Sequence, residues 1–290
     1  MFMKKILGKL LRKIRDIWWE KYDPAIILEN IPVNITYYNR NDSDYENKRR
    51  LEDTIYLERF GFKVYSQNDE DGIITEIFNR IGTTNKMFVE FGVENGLENN
   101  SHYLLHKGWS GLWIEGSKEY AEAISKLFQS PIKGNRLKII NAFITVDNIN
   151  RLISEEGKIT GEIDLLSIDI DGNDYYVWEA ISCINPRVVV IEYNAKFPPP
   201  YEWIMPYNPE YTWDGSDLCG ASLSAMEKLG NKLGFQLVGT NMNGANAFFV
   251  RKDIAGNLFP KPATAENLYH SWGSIKYKSS GHKSIRYIGN

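Results

Sequence analysis

Short apolar runs alternate with helix-like segments between residues 68 and 251, and this alternation constrains the fold more than any other feature. The predicted strands are 87–92, 111–115, 137–142, 163–169, 187–193, 235–240 and 246–251. The predicted helices are 69–81, 98–107, 117–129, 146–155, 173–183 and 221–233. Strands that alternate with helices form a mostly parallel sheet with right-handed crossovers. Because the first five strands are rich in Val, Ile and Leu, both faces of the sheet should be covered.

The last two predicted strands have no helix between them. They are joined by 241–245, a segment with Gly and Asn that suits a tight turn. The sheet should therefore end in an antiparallel hairpin. The predicted fold class is α/β, with a doubly wound, mostly parallel, Rossmann-like sheet of seven strands.

The sequence divides into four predicted parts. They are a basic amphipathic helix at 1–23, a connector at 24–63, the α/β domain at 64–255 and a C-terminal extension at 256–290. No apolar run reaches the ~18 residues of a membrane-spanning helix, and the N-terminal segment lacks the small-residue cleavage site of a secretory signal. The two cysteines are too few for a disulfide framework or a Cys-rich zinc site. We therefore expect a cytoplasmic protein.

Positive charge is concentrated near the N-terminus. Residues 1–23 hold seven Lys or Arg and three Asp or Glu, whereas the whole chain has a net charge of −3. The overall acidity argues against a nucleic-acid-binding protein, which usually carries a basic excess. A basic amphipathic helix with two Trp residues suits peripheral contact with the inner face of a membrane. The same periodicity fits a helix packed on its own domain or on a second copy in a homo-oligomer, and both interpretations stay open.

The segment from Glu90 to Gly96 follows the first predicted strand and is the first candidate site. Ligands of open α/β sheets bind beyond the carboxyl ends of the strands, and glycines such as Gly92 allow close approach of the backbone. The acidic side chains here, including Glu94, would repel phosphate but tolerate a cationic or zwitterionic ligand, such as an amino-acid group beside a sulfonium. His102, near the start of the next helix, is predicted to face the same cleft and to act in catalysis. A tight strand–helix turn without a ligand is the alternative.

The ends of the second and third strands offer groups for a nucleoside. Glu115 follows the glycine turn by about twenty residues, where an acid can accept hydrogen bonds from both ribose hydroxyls. Asn141 and Ala142 end the third strand, a position that commonly faces an adenine. Glu115 could instead cap the helix that begins near Ser117.

Carboxylates also mark the ends of strands four and five. Asp169 and Glu192 should converge because neighbouring strands lie ~4.8 Å apart, with Asp171 just outside them. Together with the amide oxygen of Asn194, these groups suit Mg²⁺ or Mn²⁺. They could alternatively supply a general base for a substrate hydroxyl. A structural alternative is an Asx-turn in which Asp171 and Asp174 cap the following helix.

A long loop rich in aromatic and proline residues, 194–220, is the predicted substrate loop. Long irregular loops in α/β domains are usually functional. Flat aromatic faces suit a carbohydrate or another polyhydroxylated acceptor. The predicted substrate-contacting residues are Asp171, Tyr201, Trp203, Tyr211 and Trp213. The alternative is a loop that packs its own aromatic side chains.

These motifs, in this order, resemble the class I S-adenosylmethionine-dependent methyltransferases and, within them, the FkbM-related family. The resemblance covers about 64–252 and rests on Glu90-Phe-Gly92-Val-Glu-Asn-Gly96, Trp113-Ile-Glu115, Ile168-Asp169-Ile-Asp171-Gly172 and Val190-Ile-Glu192-Tyr-Asn194. It implies the strand order 3-2-1-4-5-7-6, with the last strand antiparallel, and S-adenosyl-L-methionine as the cofactor. Because many FkbM-related enzymes modify sugars or glycosides, it also implies a place in polysaccharide or glycoside biosynthesis.

The resemblance implies roles for individual residues. The implied cofactor-binding residues are Gln67, Glu90, Gly92, Gly96, Glu115, Asn141, Ala142 and Asp169. The implied catalytic groups are Asp169 and Glu192, with His102 added as a cleft residue. Metal-dependent O-methyltransferases place a strand-four Asp and a strand-five acid–amide pair around Mg²⁺, and Asp169, Glu192 and Asn194 are similar to that set.

The leading hypothesis is therefore an S-adenosylmethionine-dependent O-methyltransferase that acts on a sugar or glycan hydroxyl. Two alternatives stay open. The first is an NAD-type Rossmann enzyme that modifies a sugar nucleotide, although Glu94 and the lack of GxGxxG argue against a pyrophosphate in the first turn. The second is a non-catalytic, membrane-associated scaffold in which the basic N-terminal helix is the working part.

Overall fold

The computed structural model describes residues 50–271 of the 290-residue chain. The predicted basic helix at 1–23 lies outside these residues, as do most of the connector at 24–63 and the end of the extension at 256–290. Membrane contact and self-association through the basic helix therefore stay predictions. Within residues 50–271, no helix is long and apolar enough to cross a membrane.

Seven strands form one sheet. They are β1 (Met87–Phe91), β2 (Ser110–Glu115), β3 (Leu137–Asn141), β4 (Gly161–Ile168), β5 (Ile184–Glu192), β6 (Phe235–Thr240) and β7 (Asn246–Arg251). The spatial order is β3-β2-β1-β4-β5-β7-β6. All pairs are parallel except those made by β7, which runs antiparallel to β5 and β6. The predicted fold class, the strand order and the terminal hairpin are confirmed.

Nine α-helices accompany the sheet in the described part of the chain. They are α1 (Glu70–Ile81), α2 (His102–His106), α3 (Lys118–Leu127), α4 (Gln129–Lys133), α5 (Ile149–Arg151), α6 (Asp174–Ala180), α7 (Leu223–Lys232), α8 (Lys252–Ala255) and α9 (Ala265–Leu268). A 3-10 helix at Leu57–Phe60 precedes them, and a π-helical turn at Leu152–Glu156 follows α5. Side-chain caps begin two of the longer helices: the hydroxyl of Ser117 accepts from Tyr120 N at α3, and that of Ser222 accepts from Ala225 N at α7.

Both faces of the sheet are buried. Consecutive residues on a strand point to opposite faces, and Phe88 and Val89 accordingly belong to two different apolar clusters. Every residue of β4 from Ile163 to Ile168 is buried. The continuous apolar runs in the sequence reflect this two-sided covering by helices.

Four predicted helices are wrong in their extent. The helix predicted at 146–155 begins at Ile149 and continues as a π-helical turn, and the helix predicted at 173–183 ends at Ala180, since Ile181 is extended. The helix predicted at 98–107 begins only at His102, because the backbone N–H groups of Asn100 and Ser101 donate to the carboxylate of Glu90 and hold the preceding residues in a turn. The helix predicted at 117–129 ends at Leu127. A second, short helix then begins at Gln129, since Phe128 leaves helical geometry.

The carboxyl ends of β1 and β4 contact each other directly. Gly92 has a φ of 67°, and a Cβ built on it would lie 1.5 Å from the carbonyl oxygen of Asp169. Only glycine permits this approach. The contact joins the loops after β1 and β4 at the point where the strand order reverses, which is where open α/β sheets bind ligands.

Candidate functional site

Two adjoining cavities open at the carboxyl ends of the strands. The smaller cavity has a volume of about 420 Å³, and the larger one, which we name the acidic cavity, has a volume of about 550 Å³. The two cavities share the residues Gly92, Glu94, Asp169, Asp171 and Trp213. The site is therefore one cleft with two compartments, which meet beside the β1–β4 contact.

Glu115 fixes one wall of the smaller cavity. Its carboxylate accepts hydrogen bonds from the backbone N–H groups of Glu94 (2.8 Å) and Ser117 (2.7 Å). Burial raises the pKa of Glu115. Each carboxylate oxygen keeps a second lone pair for a ligand, so the group that ends β2 is held rigidly and can still accept from hydroxyls.

The end of β3 forms the opposite side of the smaller cavity. Ala142, Phe143 and Ile144 line it with apolar surface. Asn141 lines neither cavity, because its side-chain amide donates to the carbonyl oxygens of Glu115 (2.8 Å) and Gly116 (3.2 Å). Of the two predicted adenine-flanking residues, only Ala142 faces the cavity, and Asn141 ties β3 to the end of β2.

Glu90 is buried at the end of β1 and lines the acidic cavity. Its carboxylate accepts from the backbone N–H groups of Asn100 (2.8 Å) and Ser101 (3.0 Å) and from the hydroxyls of Ser101 and Ser167. Burial raises the pKa of Glu90 to about 7, and these hydrogen bonds oppose that rise. Glu90 therefore holds the loop after β1 in place through hydrogen bonds to Asn100 and Ser101.

Gly96 and His102 lie behind the cleft and line neither cavity. A Cβ on Gly96 would meet the rings of Trp113 and Phe128 at 2.9 Å, so this glycine serves close aromatic packing. His102 is buried, stacks on Tyr65 with 3.9 Å between ring centroids, and has a pKa lowered to about 3 by burial. The position of His102 does not support the predicted catalytic role, because the ring is enclosed by aromatic side chains.

Three carboxylates converge between the strand ends. Each of Asp169, Asp171 and Glu192 offers one oxygen, and these oxygens all lie within 4.8 Å of one another. Burial is the main cause of a strongly raised pKa at both Asp169 and Glu192, and repulsion by neighbouring carboxylates adds to it. The convergence follows from the pairing of β4 with β5, which sets these two side chains on neighbouring strands.

Asn194 and Asp174 have structural contacts instead. The amide of Asn194 donates to the carbonyl oxygens of Asp217 (2.7 Å) and Cys219 (2.9 Å), and its Oδ1 accepts from Lys196 N (2.9 Å). The carboxylate of Asp174 accepts from the backbone N–H groups of Ile170 and Gly172, both at 2.8 Å. Asn194 thus holds the loop after β5, and it also lines the acidic cavity. Asp174 holds the turn before α6 by accepting from two preceding N–H groups. The predicted Asx-turn, in which Asp171 and Asp174 cap the helix, is wrong, because the helix begins without a side-chain cap.

The aromatic loop contributes two of its predicted residues to the cleft. Tyr211 lines the smaller cavity, and Trp213, which is 57% exposed, borders both cavities. Tyr201 is exposed, and Trp203 stacks on Phe197 with 4.3 Å between centroids, so neither of them lines a cavity. The loop is therefore partly self-packed and partly a wall of the site.

Acidic side chains predominate in the acidic cavity. Its lining includes seven carboxylates and one basic side chain, Lys196, which is paired with Asp217 at 3.1 Å. The seven carboxylates are those of Glu90, Glu94, Glu98, Asp169, Asp171, Glu192 and Asp217. Such a lining favours a cationic ligand and opposes phosphate. Gln67, which the resemblance implied as a cofactor-binding residue, also lines this cavity.

The sequence reasoning missed three asparagines of the acidic cavity. Asn99, Asn100 and Asn246 all line it, and each is more than nine-tenths buried. Asn99 Nδ2 and Asn246 Oδ1 have no hydrogen-bond partner. Asn246 is the first residue of β7 and pairs with Glu192 on β5. Its place in the site could have been predicted from the hairpin only if the pairing of β7 with β5 had been known.

The chain is similar to several solved structures, all at low sequence identity. One is the N-terminal domain of EvdMO1 with SAH bound (13% identity, TM-score 0.41, covering 73% of this chain and 98% of that one). Another is an S-adenosylmethionine-dependent methyltransferase from Clostridium acetobutylicum (11% identity, TM-score 0.39, covering 61% of this chain and 89% of that one). A third is a putative caffeoyl-CoA O-methyltransferase from Staphylococcus aureus (11% identity, TM-score 0.42, covering 73% of this chain and 93% of that one). No protein-family model and no curated protein sequence matches the chain.

Proposed function

We propose that the chain is an S-adenosylmethionine-dependent O-methyltransferase that acts on a sugar or glycan hydroxyl, with a role in polysaccharide or glycoside biosynthesis. The observation that carries this proposal is the two-compartment cleft at the reversal of the strand order. One compartment combines a fixed hydroxyl acceptor, Glu115, with apolar surface. The other is acidic and contains the carboxylates that end β4 and β5.

The residues of the cleft fit the cofactor. In the smaller cavity, Glu115 suits the ribose hydroxyls and the apolar residues after β3 suit the base. Where the cavities meet, Gly92 leaves room for the backbone to approach a ligand, and the surrounding carboxylates suit a sulfonium and an ammonium group. The unpaired Asn99 Nδ2 offers a donor for a carboxylate. When bound, S-adenosylmethionine supplies an electrophilic methyl group.

The chain's own part in the reaction is to hold the acceptor and take up its proton. A hydroxyl loses its proton when its oxygen becomes an ether, and we assign Asp169 as the group that accepts this proton. A carboxylate with a raised pKa is a stronger base than an ordinary one, and burial with neighbouring charges raises that of Asp169. Glu192, beside Asp169, is the second carboxylate within reach of the same place.

Binding of a divalent cation is a second role for the same carboxylates. Asp169, Asp171 and Glu192 are hard oxygen ligands of the kind that Mg²⁺ and Mn²⁺ prefer. The predicted amide ligand, Asn194, already uses its Oδ1 to accept from Lys196 N. The convergence covers the three carboxylates, and the role of Asn194, which lines the same cavity, as a further ligand stays a prediction.

A cofactor titration tests the proposal against the NAD-type alternative. We expect SAH to bind the full-length chain in calorimetry with a Kd in the micromolar range, and NAD⁺ to show no binding, because Glu94 and the other carboxylates of the turn repel a pyrophosphate. Binding of NAD⁺ without SAH would overturn the proposal. A non-catalytic scaffold would bind neither compound.

Glu115→Ala tests the nucleoside compartment. We expect the affinity for SAH to fall at least about tenfold, since charge-assisted hydrogen bonds to the ribose are lost. Calorimetry on the variant gives the dissociation constant, and circular dichroism checks the fold. Glu119→Ala, on the exposed first turn of α3, is the matched control and should bind SAH as the unaltered chain does. An unchanged constant in Glu115→Ala rejects the ribose assignment.

The pH profile tests the role of Asp169 as the proton acceptor. Its raised pKa means that the ionised base is lost at a higher pH than for an ordinary carboxyl, so kcat/KM should fall on acidification within that raised range. Asp171 raises the pKa of Asp169 by repulsion. Asp171→Asn should therefore move the acidic limb to lower pH, and Asp214→Asn, an exposed carboxylate of the aromatic loop, should leave it in place. A limb that does not move in Asp171→Asn contradicts the assignment.

A further inference from the structure

Asn246 lines the acidic cavity and has an unpaired, buried acceptor atom. Its Nδ2 donates to Glu70 Oε1 at 3.1 Å, and since the Glu70 carboxylate can only accept here, the amide nitrogen must face it. The amide oxygen of Asn246 then has no hydrogen-bond partner, although the residue is only 4% exposed. A buried acceptor without a donor is destabilising, so this atom points to a ligand that donates.

The groups around Asn246 are carboxyls, which accept hydrogen bonds when they are ionised. Asn246 pairs with Glu192 across β5 and β7, and one oxygen of Glu192 lies within 4.8 Å of oxygens of Asp169 and Asp171. We name these four residues the cation seat. A neutral hydroxyl carries one donor hydrogen, whereas a primary ammonium carries three and a positive charge. An ammonium therefore satisfies more of these acceptors than a hydroxyl does.

Within residues 50–271, no unpaired Lys or Arg side chain lines the acidic cavity to neutralise these carboxylates. Lys196 is the one basic residue that lines the acidic cavity among residues 50–271, and it is paired with Asp217. The charged groups that face the seat from other elements are Glu70, Glu90 and Asp174, all of them carboxylates. The seat is thus complementary to a positive group that arrives with a ligand.

We propose that the cation seat binds the protonated amine of the acceptor, and that the acceptor is an amino sugar. This inference rests on the proposed methyltransferase function and narrows its acceptor class. A protonated amine has no free lone pair, so it serves as the anchor. The oxygen of a neighbouring hydroxyl is then the atom that receives the methyl group.

Three sugars that differ at one position test the inference. Calorimetry on the full-length chain saturated with SAH compares D-glucosamine, N-acetyl-D-glucosamine and D-glucose at pH about 7. We expect D-glucosamine to bind at least about tenfold more tightly than the two neutral sugars. Equal binding of the three overturns the inference, and so does no binding of D-glucosamine up to about 20 mM, a concentration that detects a millimolar Kd.

Asp171→Asn distinguishes binding at the cation seat from a general effect of the protein's negative charge. Asp171 has a φ of 57°, a conformation that Asn tolerates well, so the substitution removes charge without strain. We expect the preference for D-glucosamine to disappear in this variant and to persist in Asp214→Asn, which changes the net charge equally. A preference that survives Asp171→Asn overturns the inference.

Two further outcomes identify what failed. If Mg²⁺ alone binds with a micromolar Kd, is lost in Asp171→Asn and is required for D-glucose to bind, the seat holds a metal ion and the inference is overturned. If SAH itself does not bind, the proposed function fails first. If SAH binds but the three sugars do not differ, only the amino-sugar inference fails.

Discussion

Asp169→Asn should abolish methyl transfer while SAH still binds with an affinity close to that of the unaltered chain. The amide has the shape of the carboxylate but cannot accept the proton of the acceptor hydroxyl. Removal of a positioned general base lowers turnover by about 10²–10⁴-fold. The variant should remain folded, because the substitution relieves repulsion between Asp169 and the carboxylates of Asp171 and Glu192.

Single-turnover formation of SAH, together with calorimetric binding of SAH, measures the two effects of Asp169→Asn separately. Asp214→Asn provides the control, since its carboxylate is exposed and lines neither cavity. If SAH affinity is lost while turnover is preserved, Asp169 belongs to cofactor binding and the catalytic assignment is wrong.

Gly92→Ala should lower the free energy of unfolding by about 3 kcal/mol or more. The added Cβ would lie 1.5 Å from the carbonyl oxygen of Asp169 and 2.7 Å from its carbonyl carbon. These are backbone atoms of the neighbouring strand end, so β1 and β4 must separate before the methyl group fits. SAH binding should also weaken, because the shared wall of the two cavities moves with them.

Gly82→Ala is the control for this prediction. Gly82 has nearly the same φ, 68° against 67°, but a Cβ there meets no atom within 4 Å. Its ψ of 174° lies in a region that is essentially restricted to glycine, so Gly82→Ala incurs a backbone penalty of about 1–3 kcal/mol and no steric clash. Urea unfolding of both variants gives the difference. Equal destabilisation would show that the contact between Gly92 and Asp169 is not the cause.

The sheet was predictable because its strands are buried on both faces. Runs rich in Val, Ile and Leu, such as 163–169 and 187–193, have no exposed residues, and this pattern is typical of parallel strands between helices. The terminal hairpin at 235–240 and 246–251 was predictable for a related reason, since no helix fits in the five residues between the strands. Helix ends were not predictable where a distant side chain decides them, as Glu90 does for the start of α2.

In the candidate site, only the residues at the ends of the parallel strands were predictable. Asp169 and Glu192 converge because they end neighbouring parallel strands, and sequence order supplies that information. Asn246 depends on which strand pairs with β5, and the engagement of Asn194 depends on a loop that returns to it 23 residues later. The burial of His102 depends on Tyr65, from a segment before α1. Such contacts form only when remote parts of the chain meet.

Trp213 borders both cavities, with its indole Nε1 donating to Ser216 O at 3.0 Å. A ligand in one compartment therefore limits the positions of a ring that also forms the wall of the other. Energetic coupling between two ligands is reciprocal: whatever factor the acceptor applies to the affinity for the cofactor, the cofactor applies to the affinity for the acceptor. We therefore expect Trp213 to couple the occupancy of the two compartments, and two titrations of one ligand, in the presence and in the absence of the other, measure the strength of that coupling.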